Sequence, residues 1–402
     1  MDWTLRTGSP LEDESLRPFL DAAFERPDQE SRLVHELASH APAFDPSLAL
    51  SAWNGDERAA WSLFLPRTVS LRDAWVPLGI TSPFATLPDY RKQGAGRFLL
   101  RTGLAALKQR GIRGALVIGG SEFFGQFGYA PAFNLYGISC RREDLPNERV
   151  DGWRGLRGED LTRLAPLFQR SYRGVDGCER REPTAIDWEA AIPNSHCLAF
   201  EVDGQLLAYL RFRIRGAIEL RECGVASEAG VRAVLRFLGQ LLDEHNRPNL
   251  EAHLPPSHPV ARALFHGGAL EQASNFDGAA LLAILDWPGL ISDTSDSFER
   301  GLAAGGGQPF SLEIGGEKLR LEPGRVGQTV AFRPEPGRHL WTPKAWGPSL
   351  VTGQRSVHDL GACEEVLQRS DLDRYGWQSA AALFPARNPM WPYAPIFELA
   401  DG

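Results

Sequence analysis

Apolar residues recur at helical spacing twice near the start of the chain: in Glu12 to Phe24 (Leu16, Phe19, Leu20, Ala23) and in Ser31 to Ala38. Trp3 to Arg6 reads as a first strand. Leu48 to Trp53 and Ala59 to Leu65 read as strands joined by Asn54-Gly55, a hairpin dipeptide. Trp75 to Leu87 is a longer strand-like run, interrupted by Pro77 and Pro83. Gln93 to Arg110 is predicted as a helix that stops at Gly111, and Ala115 to Ile118 as the strand after it. A short aromatic segment, Glu122 to Phe127, follows.

The same order of elements then returns. Glu159 to Tyr172 reads as a helix, and Cys197 to Val202 and Gln205 to Ile214 as a hairpin through Asp203-Gly204. Ala217 to Cys223, a helix from Ala229 to Glu244, and a strand Leu250 to His253 complete what reads as a degenerate copy. A polar stretch, Ser292 to Ser297, is taken as the entrance to a third unit. That unit has a hairpin Phe310–Ile314/Glu317–Leu321, a strand Thr329 to Arg333, a helix capped at Thr342-Pro343, and a helix Leu372 to Leu383. At roughly 150 residues per domain, three units suit the length. The expected boundaries are 1–148, 149–288 and 289–402, in an α/β (α+β) fold.

Composition changes this picture little. The chain is 43% hydrophobic and 23% charged, which allows a full core. No apolar run reaches a membrane span of ~18 residues, and the N-terminus has no export signal. Cys140, Cys178, Cys197, Cys223 and Cys363 form no CxxC pair, so neither a disulfide framework nor a metal site is expected, and a reducing cytoplasm suits the chain. A net charge of −8 argues against a nucleic-acid partner.

One run carries chemistry. Leu87-Pro88-Asp89-Tyr90-Arg91-Lys92-Gln93-Gly94-Ala95-Gly96 ends a strand, turns through glycines and enters an apolar helix. The first N–H groups of a helix lack partners, and its dipole puts partial positive charge there. Gly94 and Gly96 would let a pyrophosphate approach bare backbone, with Arg91, Lys92 and Arg97 adding charge. A plain surface turn is the competing reading. Neither GxGxxG nor the P-loop pattern is present. His35 and His40 lie five apart, not four, so they do not make a zinc-protease helix, and Ser121 sits in no GxSxG elbow. In the second unit, Glu228 stands where a cradle would be and would repel a phosphate.

The R-x-x-G-x-G run after a strand is similar to the acetyl-CoA motif of the GNAT acetyltransferases. The later run Phe123-Phe124-Gly125-Gln126-Phe127-Gly128-Tyr129-Ala130-Pro131-Ala132 strengthens the match. Length and layout resemble the enhanced intracellular survival (Eis-like) branch: a GNAT domain, a degenerate GNAT-like domain, and a sterol-carrier-like C-terminal domain. The resemblance implies that Phe84, Ala85 and Thr86 hold the pantetheine and thioester. It also implies that Arg91, Lys92, Gln93, Gly94, Ala95, Gly96 and Arg97 hold the pyrophosphate, with Ser121 and Glu122 beside the cofactor.

The implied reaction is attack by a primary amine on acetyl-CoA, with a backbone N–H near Thr86 stabilising the oxyanion. The amine would be a polycationic small molecule such as an aminoglycoside, or a lysine side chain. Glu25 and Glu36 are candidates to face it. The chain departs from the family twice. Phe124 stands where a tyrosine is expected to protonate the leaving thiolate, with Tyr129 five residues on. The tail runs past Phe397-Glu398 to Gly402, whose carboxylate is the expected base. The resemblance also implies a homo-oligomer, a hexamer being one form. The alternative reading is a protein of the same fold that binds acyl-CoA or lipid without turnover.

Overall fold

The computed structural model describes residues 2–24, 28–41, 44–181, 195–214, 216–274, 280–387 and 389–390. The first half supplies β1 (Thr4–Thr7), α1 (Leu16–Phe24), α2 (Gln29–His40), β2 (Ala49–Asn54), β3 (Glu57–Leu71) and β4 (Ala74–Thr86). α3 (Ala95–Gln109), β5 (Gly114–Ile118), α4 (Ser121–Phe124), β6 (Ala130–Pro131) and β7 (Leu135–Arg141) follow. The second supplies β8 (Trp153–Gly155), α5 (Leu161–Ser171), β9 (Ser195–Val202), β10 (Gln205–Ile214), β11 (Ile218–Val225) and α6 (Glu228–Glu244). It ends with β12 (Asn249–Ala252), α7 (Pro259–Gly267), β13 (Leu270–Ser274) and β14 (Ala280–Ile284).

Two sheets result, with orders β1-β2-β3-β4-β5-β14-β6 and β8-β9-β10-β11-β12-β7-β13. They match position for position. The parallel pair β4–β5 corresponds to β11–β12, and the antiparallel pair β5–β14 to β12–β7. Each sheet therefore takes one strand from the other half of the chain. β7 precedes the expected boundary at 148 yet lies in the second sheet, and β14 follows it yet lies in the first.

β3 is buried on both faces, because α3 covers one and α1 with the C-terminal elements covers the other. On α3, Leu99, Leu100, Leu104 and Leu107 form the buried stripe, and Gly103 lets Phe64 of β3 press against the helix.

The C-terminal part contains α8 (Trp287–Asp293), α9 (Ser295–Ala304), β15 (Phe310–Ile314), β16 (Glu317–Leu321), β17 (Arg338–Thr342), α10 (Gly347–Thr352), β18 (Asp371–Leu372) and α13 (Arg374–Leu383), with short helices α11 (Val357–Leu360) and α12 (Glu364–Arg369) before β18. Its sheet runs β16-β15-β17-β18 and shares a core with the first sheet. The polar stretch Ser292–Ser297 spans the end of α8 and the start of α9: Thr294 is buried, and Asp293 pairs with Arg113, just before β5, at 2.7 Å. Two expectations fail here. Thr329–Arg333 is not a strand. Its alternating residues stay half-buried or exposed beside Pro334, and Arg338–Thr342 pairs with β15 instead. Thr342 caps no helix: it ends β17, and α10 starts only at Gly347.

Among the described residues no helix is long and apolar enough to cross a membrane, and no group of His, Cys, Asp and Glu is arranged to hold a metal ion.

His258 is expected to make the second unit acid-sensitive. Its Nδ1 accepts from the Val260 N–H, which leaves Nε2 to donate to the Cys223 carbonyl at 3.0 Å. Complete burial pushes the imidazole down from 6.5 to about 4. The neutral form is therefore favoured in the fold, and the stability it contributes is present above 6.5 and lost as pH falls through 4. The shift corresponds to about 3 kcal/mol. His258→Asn keeps a cap acceptor and removes the titration. Its stability deficit relative to wild type, measured by urea unfolding at pH 7 and at pH 4, is expected to shrink by about that amount. Burial lifts Asp176 to about 6, so its protonation acts in the opposite sense and cancels in the comparison.

Candidate active site

β4 is the element on which the site is built. Ser62 pairs with Phe84 and Phe64 with Thr81, so Ser82 and Pro83 together face Leu63 alone. This is a β-bulge, and it bends the strand. On its other side β4 pairs with β5 only from Leu78 to Ile80. Beyond Ile80 the strands part: β5 stays with β14, while the edge of Thr81–Thr86 has no neighbouring strand among the described residues. An extended ligand can add to such an edge as a further strand would.

The equivalent edge in the second sheet is already satisfied. β11 pairs with β12 only from Ile218 to Leu220. Past that point the Val225 N–H donates to Ser171 of α5 at 2.9 Å, and the Cys223 carbonyl accepts from His258. Side chains of the protein fill the second fork, whereas the first opens into a cleft.

That cleft has a volume of about 780 Å³ and includes Phe84, Ala85 and Thr86 of β4 along one wall. This is within the range of ligand-binding cavities. At its far end stands the start of α3. Gly94 is the N-cap at φ +99°, a conformation suited to glycine, and no side chain among the described residues caps the helix there. A Cβ on Gly96 would lie 3.2 Å from the Thr86 hydroxyl and 3.4 Å from the Phe84 ring, so the bare backbone is what allows strand and helix to converge. Lys92 and Arg97 are exposed at the rim and make no ion pair among the described residues. Arg97 donates instead to Gln126 at 3.1 Å. Tyr90 braces the turn by donating to Glu57 at 2.6 Å.

The structure thus brings Phe84, Ala85, Thr86, Arg91, Lys92, Gln93, Gly94, Gly96 and Arg97 to one cleft. Ala95 is buried in the first turn of α3, behind the cleft surface. Ser121 and Glu122 begin α4, but Phe123 and Gln126 of this segment are the residues that line the cleft. Phe124 is buried, ring against ring with Phe84, Phe123 and Tyr129. Tyr129 lies behind it, fully enclosed. Its hydroxyl is 3.3 Å from the Thr81 hydroxyl, and burial raises the phenol far above its ordinary range. Glu36 sits half-buried on α2 and does not line the cleft. Glu25 and Gly402 lie outside the described residues. Ala23 and Phe24, at the end of α1, form a wall that local sequence patterns do not indicate.

A model of the acetyltransferase (GNAT) domain matches residues 9–132, the part that carries the bulged strand, the cradle and α4. Solved structures extend the likeness to the whole chain. A GCN5-related N-acetyltransferase from Anabaena variabilis superposes with a TM-score of 0.74 at 14% identity, over 97% of this chain and 99% of its own. Another from Kribbella flavida gives 0.74 at 17%, over 97% of each. Eis1 from Mycobacterium abscessus gives 0.67 at 16%, over 98% of this chain and 99% of its own. The fold is that of a GCN5-related N-acetyltransferase. No curated protein matches the sequence. In this GNAT fold the open fork between β4 and β5 belongs to the first of two tandem sheets, and the second sheet has lost its fork to α5 and His258.

Proposed function

We propose that the chain is an acetyl-CoA-dependent N-acetyltransferase, and that residues 1–148 bind the acyl-CoA. One observation carries this reading: the free edge of β4 leads directly to an uncapped helix N-terminus within a single cleft. Pantetheine carries amides that pair with a strand edge, and a pyrophosphate suits the α3 cradle, where Lys92 and Arg97 add charge.

Phe84, Ala85 and Thr86 hold the thioester arm, with a backbone N–H near Thr86 facing the developing oxyanion. The acceptor nitrogen attacks the thioester carbonyl, the C–N bond forms, and the C–S bond breaks to release CoA thiolate. An amine of ordinary pKa ~10 is mostly protonated at neutral pH, so a base must take its proton. We assign that role to the Gly402 carboxylate. The described chain ends at Met390, whose N–H donates to the Asp176 carbonyl, while the Asn134 N–H donates to the Pro389 carbonyl at the seam between the first two sheets. Solvent protonates the thiolate, since Phe124 has no proton to give and Tyr129 is enclosed behind it.

The acceptor is a primary amine, either a polycationic small molecule or a lysine side chain, with Glu25 and Glu36 as candidate contacts. The C-terminal unit, residues 289–402, is proposed as the sterol-carrier-like domain of a cytoplasmic homo-oligomer. Thiol release from acetyl-CoA with a panel of such amines tests the activity, and release no faster than without enzyme between about pH 6 and 9 would sink it. Phe124→Tyr is expected to raise kcat by about 100-fold, the lower end of what a placed proton donor contributes, with CoA affinity little changed. The paired comparison is a Michaelis profile and a calorimetric titration with CoA.

The second reading, a binding protein without turnover, is favoured by Phe124 alone. It predicts that CoA binds with wild-type saturation while no amine on the panel is consumed.

A further inference from the structure

Arg91 is placed unlike the other cations of the cleft. Its Nη2 donates to the carbonyl of Ala23 at 2.8 Å, and its Nε lies 3.3 Å from the carbonyl of Thr86. The first carbonyl belongs to the last turn of α1, the second to the last residue of β4. α1 has no basic residue of its own in that turn, so Arg91 supplies the cation that the negative end of a helix favours. Arg91 makes no ion pair among the described residues, whereas nearby Arg17 and Arg58 each hold a carboxylate. Among the described residues its charge rests on two neutral carbonyls, and its side chain lines the same cleft as Ala23, Phe24 and the α3 cradle.

We propose that Arg91 is a positioning residue that couples occupation of the cradle to the placement of α1. The inference rests on the acyl-CoA reading given above. A guanidinium has five donors in a rigid fork, so two can stay on the carbonyls of Ala23 and Thr86 while others meet a phosphate. A bound CoA then fixes the fork, and the fork fixes the end of α1. That end lines the same cleft as β4, and in this proposal the acceptor reaches the thioester past it. CoA binding therefore prepares the acceptor side, and the coupling is reciprocal: an acceptor that needs α1 in place tightens CoA. Lysine at this position keeps the charge but has a single point donor, and it cannot bridge both carbonyls and the anion.

The test is amide hydrogen exchange on the full chain, with and without CoA, followed at α1 and, as a control, at α6 in the second unit. In wild type, CoA is expected to slow exchange in Leu16–Phe24 by about fivefold or more and to leave Glu228–Glu244 unchanged. In Arg91→Lys, CoA affinity by calorimetry should stay within about threefold of wild type, while the added protection of α1 disappears. A structural brace alone would change α1 equally with and without CoA. The proposal is overturned if wild type binds CoA with no change at α1, or if Arg91→Lys retains the full effect. If Arg91→Lys does not fold, the wild-type experiment decides alone. If wild type does not bind CoA, the acyl-CoA reading itself has failed and the coupling falls with it.

Discussion

Reversing the two rim charges, Lys92→Glu together with Arg97→Glu, is expected to weaken CoA binding by at least about 100-fold, or about 3 kcal/mol. Both side chains are exposed and neither holds a carboxylate among the described residues, so the fold loses only the bond from Arg97 to Gln126. Lys92 sits at φ +63°, and glutamate there meets the same strain as lysine, so backbone cost cancels in the comparison. What changes is the potential at the start of α3, where the uncapped N–H groups and the helix dipole favour an anion. Two charge-assisted contacts become two repulsions. Because the rim is open to solvent, the loss should be largest at low salt and shrink as the ionic strength rises. Acetylated pantetheine, which lacks the pyrophosphate, separates the two halves of the site: its weak affinity for the edge of β4 should be the same in wild type and variant. Equal CoA affinity in wild type and variant would show that the cradle is a surface turn, the plain reading of its glycines.

Much of the scaffold around that cradle is legible in local pattern. Gly94 and Gly111 bracket α3 to within two residues of its predicted span, because each sits where a positive φ is required. The Gly315-Gly316 hairpin falls where the alternation places it, since both glycines adopt positive φ between paired strands. What could not be read is non-local. Nothing in Leu135–Arg141 distinguishes a strand that joins its own sheet from one that crosses to the other. The exchange of β7 and β14 is decided by which edge each half of the chain leaves free. The polar stretch at Ser292–Ser297 is non-local in the same way: the partners of Asp293 and Thr294, Arg113 and the Leu290 carbonyl, come from outside the stretch or only with the helix formed.

The candidate site divides in the same way. The residues on β4 and the α3 turn are contiguous in sequence, so a glycine-rich run marks them directly. Ala23 and Phe24 reach the cleft only through the packing of α1, and Arg91 reads as one more phosphate cation until its bonds to two carbonyls are seen. Ser121 and Glu122 were displaced by a helical turn: once α4 forms, Phe123 and Gln126 are the residues on the cleft side. Tyr129 offers a hydroxyl in the sequence, but the ring of Phe124 lies between it and Phe84 of the cleft.

Gly177→Ala is expected to cost about 3 kcal/mol of stability and to cut acetyl transfer by about 100-fold, with CoA affinity close to wild type. Gly177 has φ +103°, which alanine adopts only under strain. A Cβ there would stand 1.9 Å from the Met390 carbonyl oxygen and 2.7 Å from the Phe133 ring. The ring is fully buried, and the carbonyl is backbone, so no rotamer change relieves both contacts. Gly177 is itself anchored, donating to the Ser70 carbonyl at 2.8 Å beside Asp176, whose carbonyl holds the Met390 N–H. The segment able to yield is the tail, which is fastened at this point by Pro389 to Asn134 and by Met390 to Asp176. Displacing it takes with it whatever the tail presents beyond Met390, including the Gly402 carboxylate to which the base is assigned. Among the described residues the proposed CoA cleft draws no lining residue from this seam, so calorimetry with CoA should be nearly unchanged while thiol release falls. Urea unfolding supplies the folded fraction by which turnover is corrected. A variant that is less stable yet turns over normally per folded molecule would remove Gly402 from the mechanism and leave water as the acceptor of the amine proton. In that case the pH profile of kcat/KM should rise with the free-amine fraction alone, because no protein carboxylate would then limit the reaction on the acidic side.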